Sequence, residues 1–511
     1  MQIKCSILGK DIQITDMTIP VISPYWRLKR NGDWSLLCRY EHEQINYSIL
    51  PTLVGATLSL MDGRLTFRHL AMVVQYTHDF DTLEKSQEFV TSVIMAANKD
   101  CDAIVSMTEE IAPYLKKINP LDFVRVPEHG VQQKRPSVPI SLNLMFSNDC
   151  ETNCVYCYAD RRKIPVDRQL SMERWKEILQ EARTLGMEQV TLSGGDPLSR
   201  KDAVPLIAEL IKLEMLFLLS TKCHITAEIA DSLVEIGMTK PINQYTREIQ
   251  LSMDGPDEET ADRLAGSNGY YKRAVESIAN LVKRGFNLRV KAVVTPLNTP
   301  RVYEWIKQLF EMGVRQISVA AYNRTFHRHD DCFFLSQDDR TLIAEQCERA
   351  RNDFPGIDLR MTGLEKSATH GQPASPVADS GSIAPEPGKS TSDKAERWKD
   401  RAQCSGGRSS MTITPDGKVI LCDTVPQEDT FIVGDVSHQS IMDVWNSEAL
   451  LNFVYPARDR FEGSACYDCT EMAECQSKAG YCFRDTYFNY GTIFGPPPNC
   501  PQAQDDGMRM E

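Results

Sequence analysis

Residues 140–157 read Ile140-Ser141-Leu142-Asn143-Leu144-Met145-Phe146-Ser147-Asn148-Asp149-Cys150-Glu151-Thr152-Asn153-Cys154-Val155-Tyr156-Cys157. The first seven alternate as a β-strand over 140–146. The last eight place three cysteines in Cys-x3-Cys-x2-Cys spacing directly after it. Three thiolates on one tight loop can hold three corners of a cubane iron–sulfur cluster and leave its fourth iron open. A structural zinc site would need a fourth ligand close by, and the next cysteine is Cys223.

Outward from this stretch the chain repeats a strand-then-helix rhythm. Ser171 caps a helical pattern carrying Trp175, Ile178, Leu179, Ala182 and Leu185, and Gly186 ends it. Strand patterns recur over 189–192, 216–220, 248–253, 288–294 and 316–319. Six such units predict an α/β architecture, a partial (β/α)6 barrel over 140–360, in which strand C-termini carry the active site. The cysteine loop falls at such an end.

Four other segments flank the barrel. Short strands over 26–28, 34–39 and 45–49 precede helical patterns over 52–61, 66–74 and 82–95, which predicts a winged-helix-like domain over 1–120. Residues 121–139 read as a linker. Residues 363–395 are rich in Ser, Pro, Gly and Ala, so a flexible linker is expected over 361–400. Residues 401–505 are cysteine-rich with weak periodicity, as in a domain organised by metal in place of a core.

The composition agrees with a folded chain of several domains. There are 511 residues, 42% of them hydrophobic, which excludes a disordered or collagenous protein. A net charge of −13 argues against nucleic acid as partner. The N-terminus has no basic region followed by an apolar stretch and a cleavage site, and no apolar run is long enough for a bilayer. A cytoplasmic location with no membrane association is therefore expected. In that reducing compartment the 16 cysteines are read as metal ligands or packing residues, and not as disulfides. Cys5, Cys38, Cys101, Cys223, Cys332 and Cys347 stand alone and read as small buried apolar residues.

Three further features gather round the cysteine loop. Tyr156 precedes the third cysteine and could pack on an adenine. Gly194-Gly195-Asp196-Pro197 follows the second strand, offering close backbone approach and a carboxylate for an ammonium. Ser252 and Asp254 end a later strand and could bind a ribose. Taken singly, the last two segments read as ordinary turns. Together these residues resemble the radical S-adenosylmethionine (SAM) superfamily, with Asp196 where Glu is usual. The resemblance implies a [4Fe–4S] cluster on Cys150, Cys154 and Cys157, and SAM contacts from Tyr156, Gly194, Gly195, Asp196, Pro197, Ser252, Asp254 and Arg263.

The C-terminal cysteines form a second pattern. Cys404-x12-Gly417-x4-Cys422 is followed by Cys466-x2-Cys469-x5-Cys475-x6-Cys482 and, seventeen residues on, by Cys500. Seven thiolates exceed what one cluster or one zinc needs. Read without the upstream motif they would suit two zinc ribbons. The segment resembles the SPASM extension of radical SAM enzymes, with six residues instead of three between Cys475 and Cys482. That resemblance implies two auxiliary [4Fe–4S] clusters, the first on Cys404, Cys422 and Cys482, the second on Cys466, Cys469, Cys475 and Cys500. The first cluster's remaining iron is left open to substrate or to a non-cysteine ligand such as a carboxylate.

Ile49-Leu50-Pro51-Thr52 and Met61-Asp62-Gly63 resemble the peptide-recognition domain of peptide-modifying radical enzymes, including the one in pyrroloquinoline quinone biosynthesis. This implies a leader peptide added as a strand to a sheet edge. The whole implies a maturase that removes hydrogen from a ribosomally made precursor peptide by a 5′-deoxyadenosyl radical and installs a carbon–carbon or thioether cross-link. A flavodoxin or ferredoxin would be its reductant. Two alternatives stay open: oxidation of a side chain in a protein partner, as in sulfatase or quinone-cofactor maturation, and a non-catalytic iron–sulfur carrier or scaffold. No barrel residue announces itself as a catalytic acid or base.

Overall fold

The structure is a computed structural model, and it describes residues 2–5, 10–32, 34–40, 45–98, 102–123, 135–242, 246–364, 398, 401, 403–477 and 480–503. The chain divides into two compact units, 1–138 and 139–511. Most of the expected linker over 361–400, and Cys101, lie outside the described residues, as does the side chain of Cys5.

In the first unit, β1 (Gln2–Cys5) and β2 (Lys10–Gln13) pair antiparallel, and β3 (Pro20–Ile22) pairs with β7 (Ile104–Ser106). β4 (Trp26–Asn31), β5 (Trp34–Tyr40) and β6 (Ile45–Leu50) make an antiparallel meander. Then follow α1 (Thr52–Ser59), α2 (Phe67–Thr77) and α3 (Leu83–Ala97), the order the sequence predicts. Thr66 and Thr82 cap α2 and α3 by accepting from the amides of His69 and Lys85. Trp26, Leu37, Leu58, Leu70, Val74, Val90 and Ile94 share the unit's core.

The second unit is built on one ten-stranded sheet. Its parallel part runs β8 (Ser141–Ser147), β9 (Gln189–Gly194), β10 (Leu216–Thr221), β11 (Glu248–Ser252), β12 (Asn287–Val294), β13 (Gln316–Ala321) and β14 (Asp358–Thr362), each beside the next. Between them stand α4 (Met172–Thr184), α5 (Ala203–Lys212), α6 (Ala227–Glu235), α7 (Glu258–Ala265), α8 (Tyr270–Lys283), α9 (Val302–Glu311) and α10 (Gln337–Asp353). Ser171 caps α4 through the Arg174 amide at 3.1 Å, and Trp175 packs edge-on to Phe146 at 5.0 Å. The run β8–β14 thus has one more strand than the six the sequence announced. Near the strand N-termini, buried Arg289 reaches Glu248 at 3.1 Å, Gln316 at 2.7 Å and Asp358 at 2.9 Å, and so ties β11 to β14.

β15 (Ser410–Ile413) lies parallel to β8 on its other side, followed antiparallel by β16 (Lys418–Ile420) and β17 (Gly434–Asp435). The helices α11 (Ile441–Trp445), α12 (Glu448–Val454), α13 (Met472–Ser477) and α14 (Phe483–Tyr490) complete the unit. Met411, Ile413, Val419, Phe431, Val444 and Trp445 are buried in the same cluster as the barrel's core. This corrects the expectation of a metal in place of a core: the C-terminal segment has apolar packing and extends the barrel sheet. Among the described residues no helix is long and apolar enough to cross a membrane.

Candidate functional site

β8 delivers the cysteine loop, and its neighbours hold the loop by the backbone. The Gly195 amide donates to Ser147 O at 2.7 Å and the Asp196 amide to Asp149 O at 2.7 Å. A Cβ on Gly194, which has φ +111°, would lie 2.6 Å from Ser147 O; one on Gly195 would lie 2.4 Å from Asp149 O. Both glycines are therefore required by contact between backbones. Farther on, the amides of Asn153 and Val155 donate to Ala265 O and Leu264 O, at the end of α7, at 2.9 and 3.1 Å. Arg161 donates from outside to Thr152 O at 2.7 Å and Cys150 O at 3.4 Å.

Cys154 is buried, and Cys150 and Cys157 are partly so. Burial raises the thiols of Cys150 and Cys157, neighbouring cysteines push them further, and Arg161 counters. Iron binding would hold these three crowded sulfurs as thiolates. Among the described residues no three His, Cys, Asp or Glu side chains converge on a point for a single ion. A cubane does not ask for that, since it takes each thiolate on a different iron. The donor set fits a cluster.

Around this loop the expected SAM contacts are differently engaged. Asp196 is 2% exposed. Its carboxylate accepts from Thr221 Oγ1 at 2.9 Å and from the amides of Leu198, Lys222 and Cys223 at 3.0, 2.6 and 3.1 Å. Burial raises its carboxyl against these hydrogen bonds. Pro197 opens the short turn Pro197–Ser199 that Asp196 caps. Asp254 accepts from Lys222 Nζ at 2.6 Å, from the Val293 amide at 2.9 Å and from Tyr156 Oη. Ser252 accepts, through its carbonyl, a hydrogen bond from Tyr270 Oη. Tyr156 is buried against Cys154, Leu264, Tyr322 and Phe333. Arg263 is exposed on α7.

Lys222, which no sequence pattern marks, joins them. Its ammonium lies 5.2 Å from the Tyr270 ring centroid and 3.2 Å from Tyr156 Oη. Burial opposes its charge, yet Asp254 and Tyr156 hold it well above the ordinary lysine range. A lone lysine after a strand carries no periodic or spacing signal. The four solitary cysteines that are described divide: Cys38, Cys223 and Cys347 are buried as expected, whereas Cys332 is exposed, in the turn Asp331–Phe333 that its own amide helps close on Asp330.

The C-terminal cysteines sort into two places. Cys466, Cys469, Cys475 and Cys500 line one cavity with Trp398, Phe461 and Tyr481. Burial and the other three thiols push Cys466 up to about 12. Arg401 donates to Cys475 Sγ at 3.2 Å and stacks over Trp398 at 3.7 Å. Cys404, Cys422 and Cys482 form the other set. Arg484 stands beside Cys482 and Cys422, and Cys404 beside Cys482. Two carboxylates adjoin it, Asp423 next to Cys422 and Asp485, which pairs with Arg484 at 2.8 Å. Asp423 also accepts from Asn143 Nδ2 of β8 at 3.2 Å, and burial raises its carboxyl. Five residues after Cys422, Gln427 accepts from Asn148 Nδ2 at 3.1 Å and donates its amide to Asp160 at 2.9 Å, so this segment is tied to both ends of the barrel loop.

Residues 144–309 match the radical SAM superfamily, and residues 404–470 match the iron–sulfur cluster-binding SPASM domain. The chain thus carries a radical SAM domain with a SPASM extension. Cluster and SAM are thereby its cofactors, and the residues above suit them. The chain is 28% identical to a PqqA peptide cyclase of Ruegeria pomeroyi over 352 residues, 68% of this chain and 84% of that one. A PqqA peptide cyclase of Rhizobium meliloti is 24% identical over 319 residues, 61% of this chain and 75% of that one. The fold is similar to Streptococcus suis SuiB bound to its precursor peptide SuiA, with TM-score 0.59, 14% identity, and 94% and 99% of the two chains covered.

Proposed function

We propose that this radical SAM enzyme is a peptide maturase, which takes a ribosomally made precursor peptide and closes an intramolecular carbon–carbon or thioether cross-link. The observation that carries the reading is one folded unit containing the barrel loop and two further cysteine sets, in a chain whose relatives include peptide cyclases. Cys150, Cys154 and Cys157 would hold the cluster that supplies one-electron cleavage of bound SAM. Cys404, Cys422 and Cys482, and separately Cys466, Cys469, Cys475 and Cys500, would hold the auxiliary clusters. Those are suited to accept the electron a substrate radical must lose when a cross-link closes.

The remaining parts orient and shield. Gly194 and Gly195 let β9 grip the loop's entry, Lys222 and Asp254 fix Tyr156, and Arg161 satisfies the carbonyls of Cys150 and Thr152. The β4–β6 meander is a small three-stranded antiparallel sheet, the kind of element a leader strand can extend. A flavodoxin or ferredoxin would reduce the barrel cluster.

The test is anaerobic incubation of the reconstituted enzyme, SAM and reductant with the short peptides encoded beside its gene. One peptide should lose about 2 Da (two hydrogens) as 5′-deoxyadenosine accumulates. SAM turnover without a mass change in any of these peptides would overturn the reading.

A further inference from the structure

We infer that the segment 322–334, which follows β13, is a strap joining the barrel cysteine loop to the helix behind the first auxiliary site, with Arg328 as a positioning residue for the barrel cluster. This goes beyond the peptide reading and needs no peptide to be tested.

The barrel loop shows its outer carbonyls to two guanidinium groups. Arg161 takes those of Cys150 and Thr152. Arg328 Nη1 donates to Asn153 O at 2.8 Å and to Cys154 O at 3.0 Å, while its Nη2 donates to Asn153 Oδ1 at 2.5 Å. The backbone of Arg328 is itself fixed, donating to Thr325 Oγ1 at 3.2 Å. On the same segment Tyr322 and Phe333 bury against Cys154 and Tyr156. Tyr322 stacks on His329, hydrogen-bonds its Nδ1 at 2.8 Å, and meets Phe333 and Phe334 edge-on at 5.5 and 5.4 Å.

Two residues before Arg328, the strap is gripped by the other site. Phe326 stacks on Phe488 at 3.6 Å and 14°, and packs against Tyr487 at 5.9 Å and Phe431 at 6.3 Å. Phe488 and Tyr487 belong to α14, whose N-cap is Cys482. Within three residues, therefore, one segment touches both the peptide bonds of the barrel loop and the helix that begins at an auxiliary ligand.

The charge decides what this does. A guanidinium donating to a cysteine-bearing loop stabilises added negative charge there, and hydrogen bonds and net charge set the potential of an iron–sulfur centre. Arg328 therefore favours the one-electron reduction of the cluster that Cys150, Cys154 and Cys157 would hold. Phe326 keeps Arg328 in place through packing alone.

The experiment is a redox titration of the full-length reconstituted enzyme with dithionite as electron donor, following the paramagnetic signal that changes on adding SAM. Arg328→Gln should lower the equilibrium constant for reduction about tenfold, a fall of about 59 mV for one electron. Arg328→Lys should recover most of it. Phe326→Ala, which touches no part of the loop, should shift the potential in the same direction. An unchanged potential in iron-replete Arg328→Gln overturns the inference. If that variant fails to bind the barrel cluster, Phe326→Ala decides, and an unchanged potential there overturns the coupling. Failure here leaves the peptide reading standing, and a peptide that gains no cross-link leaves this potential shift untouched.

Discussion

At the scale of single residues, two contacts make firm demands. The Cβ of Gly195→Ala would meet backbone atoms of Asn148 and Asp149, which have no flexible end to swing away. The purified, reconstituted variant should lose about a third of its iron and sulfide, that of one cluster in three, while far-ultraviolet dichroism stays native. Full iron content in this variant would show that the loop can shift without cost to the cluster. Lys222→Met strands Asp254, whose side chain is fully buried beside a lysine only 13% exposed. Breaking such a pair from one side costs about 3–5 kcal/mol, read as a lower urea midpoint. The double variant with Asp254→Asn should cost less than the two singles summed, by about 1–3 kcal/mol. Strict additivity would mean the two groups are not coupled.

At the scale of elements, the strand pair β16–β17 offers a pH test. Lys418 and Asp435 face each other in register and meet at 2.6 Å. Burial works against the Asp435 carboxylate, but Lys418 and Ser437 hold it below the usual range. Its stabilisation is present above the unfolded value of about 3.9 and fades as pH falls through the lower folded value. Asp435→Asn should cost about 0.5–1 kcal/mol at neutral pH, small because Lys418 is partly exposed. The difference from the parent should shrink as pH falls below about 3.9 and be gone once pH lies below the folded value; a gap that stays constant through that fall in urea titrations would rule out the charge as its source. Elements were also what the sequence disclosed best. Helical patterning marked α2 and α3, a Ser171 cap with apolar periodicity marked α4, and the cysteine spacing marked the loop at the end of β8. β14 escaped because five residues with Asp358 and Arg360 exposed show little apolar run. The strands β15–β17 are two to four residues long, too short to alternate. Lys222 and Arg328 act through loops that only the folded chain brings to the cysteines, so no local pattern pointed to them.

At the scale of the whole molecule, the two units differ in self-sufficiency. Residues 1–138 have a separate apolar core, and expressed alone they should unfold cooperatively in urea with native-like secondary structure by circular dichroism. Residues 139–364 expressed alone should aggregate, because removing β15 leaves β8 with a bare edge and strips the shared core of Trp445 and Phe431. A monodisperse, cooperatively folding barrel fragment would contradict the single-core description. The same pairing has a consequence during synthesis. Ser141 waits for Ser410, about 270 residues downstream, and ribosomes deliver about 5–20 residues per second. The first barrel strand thus leaves the ribosome with one flank unpaired for roughly a quarter of a minute to a minute. In that interval the nascent chain depends on dilution or a chaperone to keep that flank from another polypeptide.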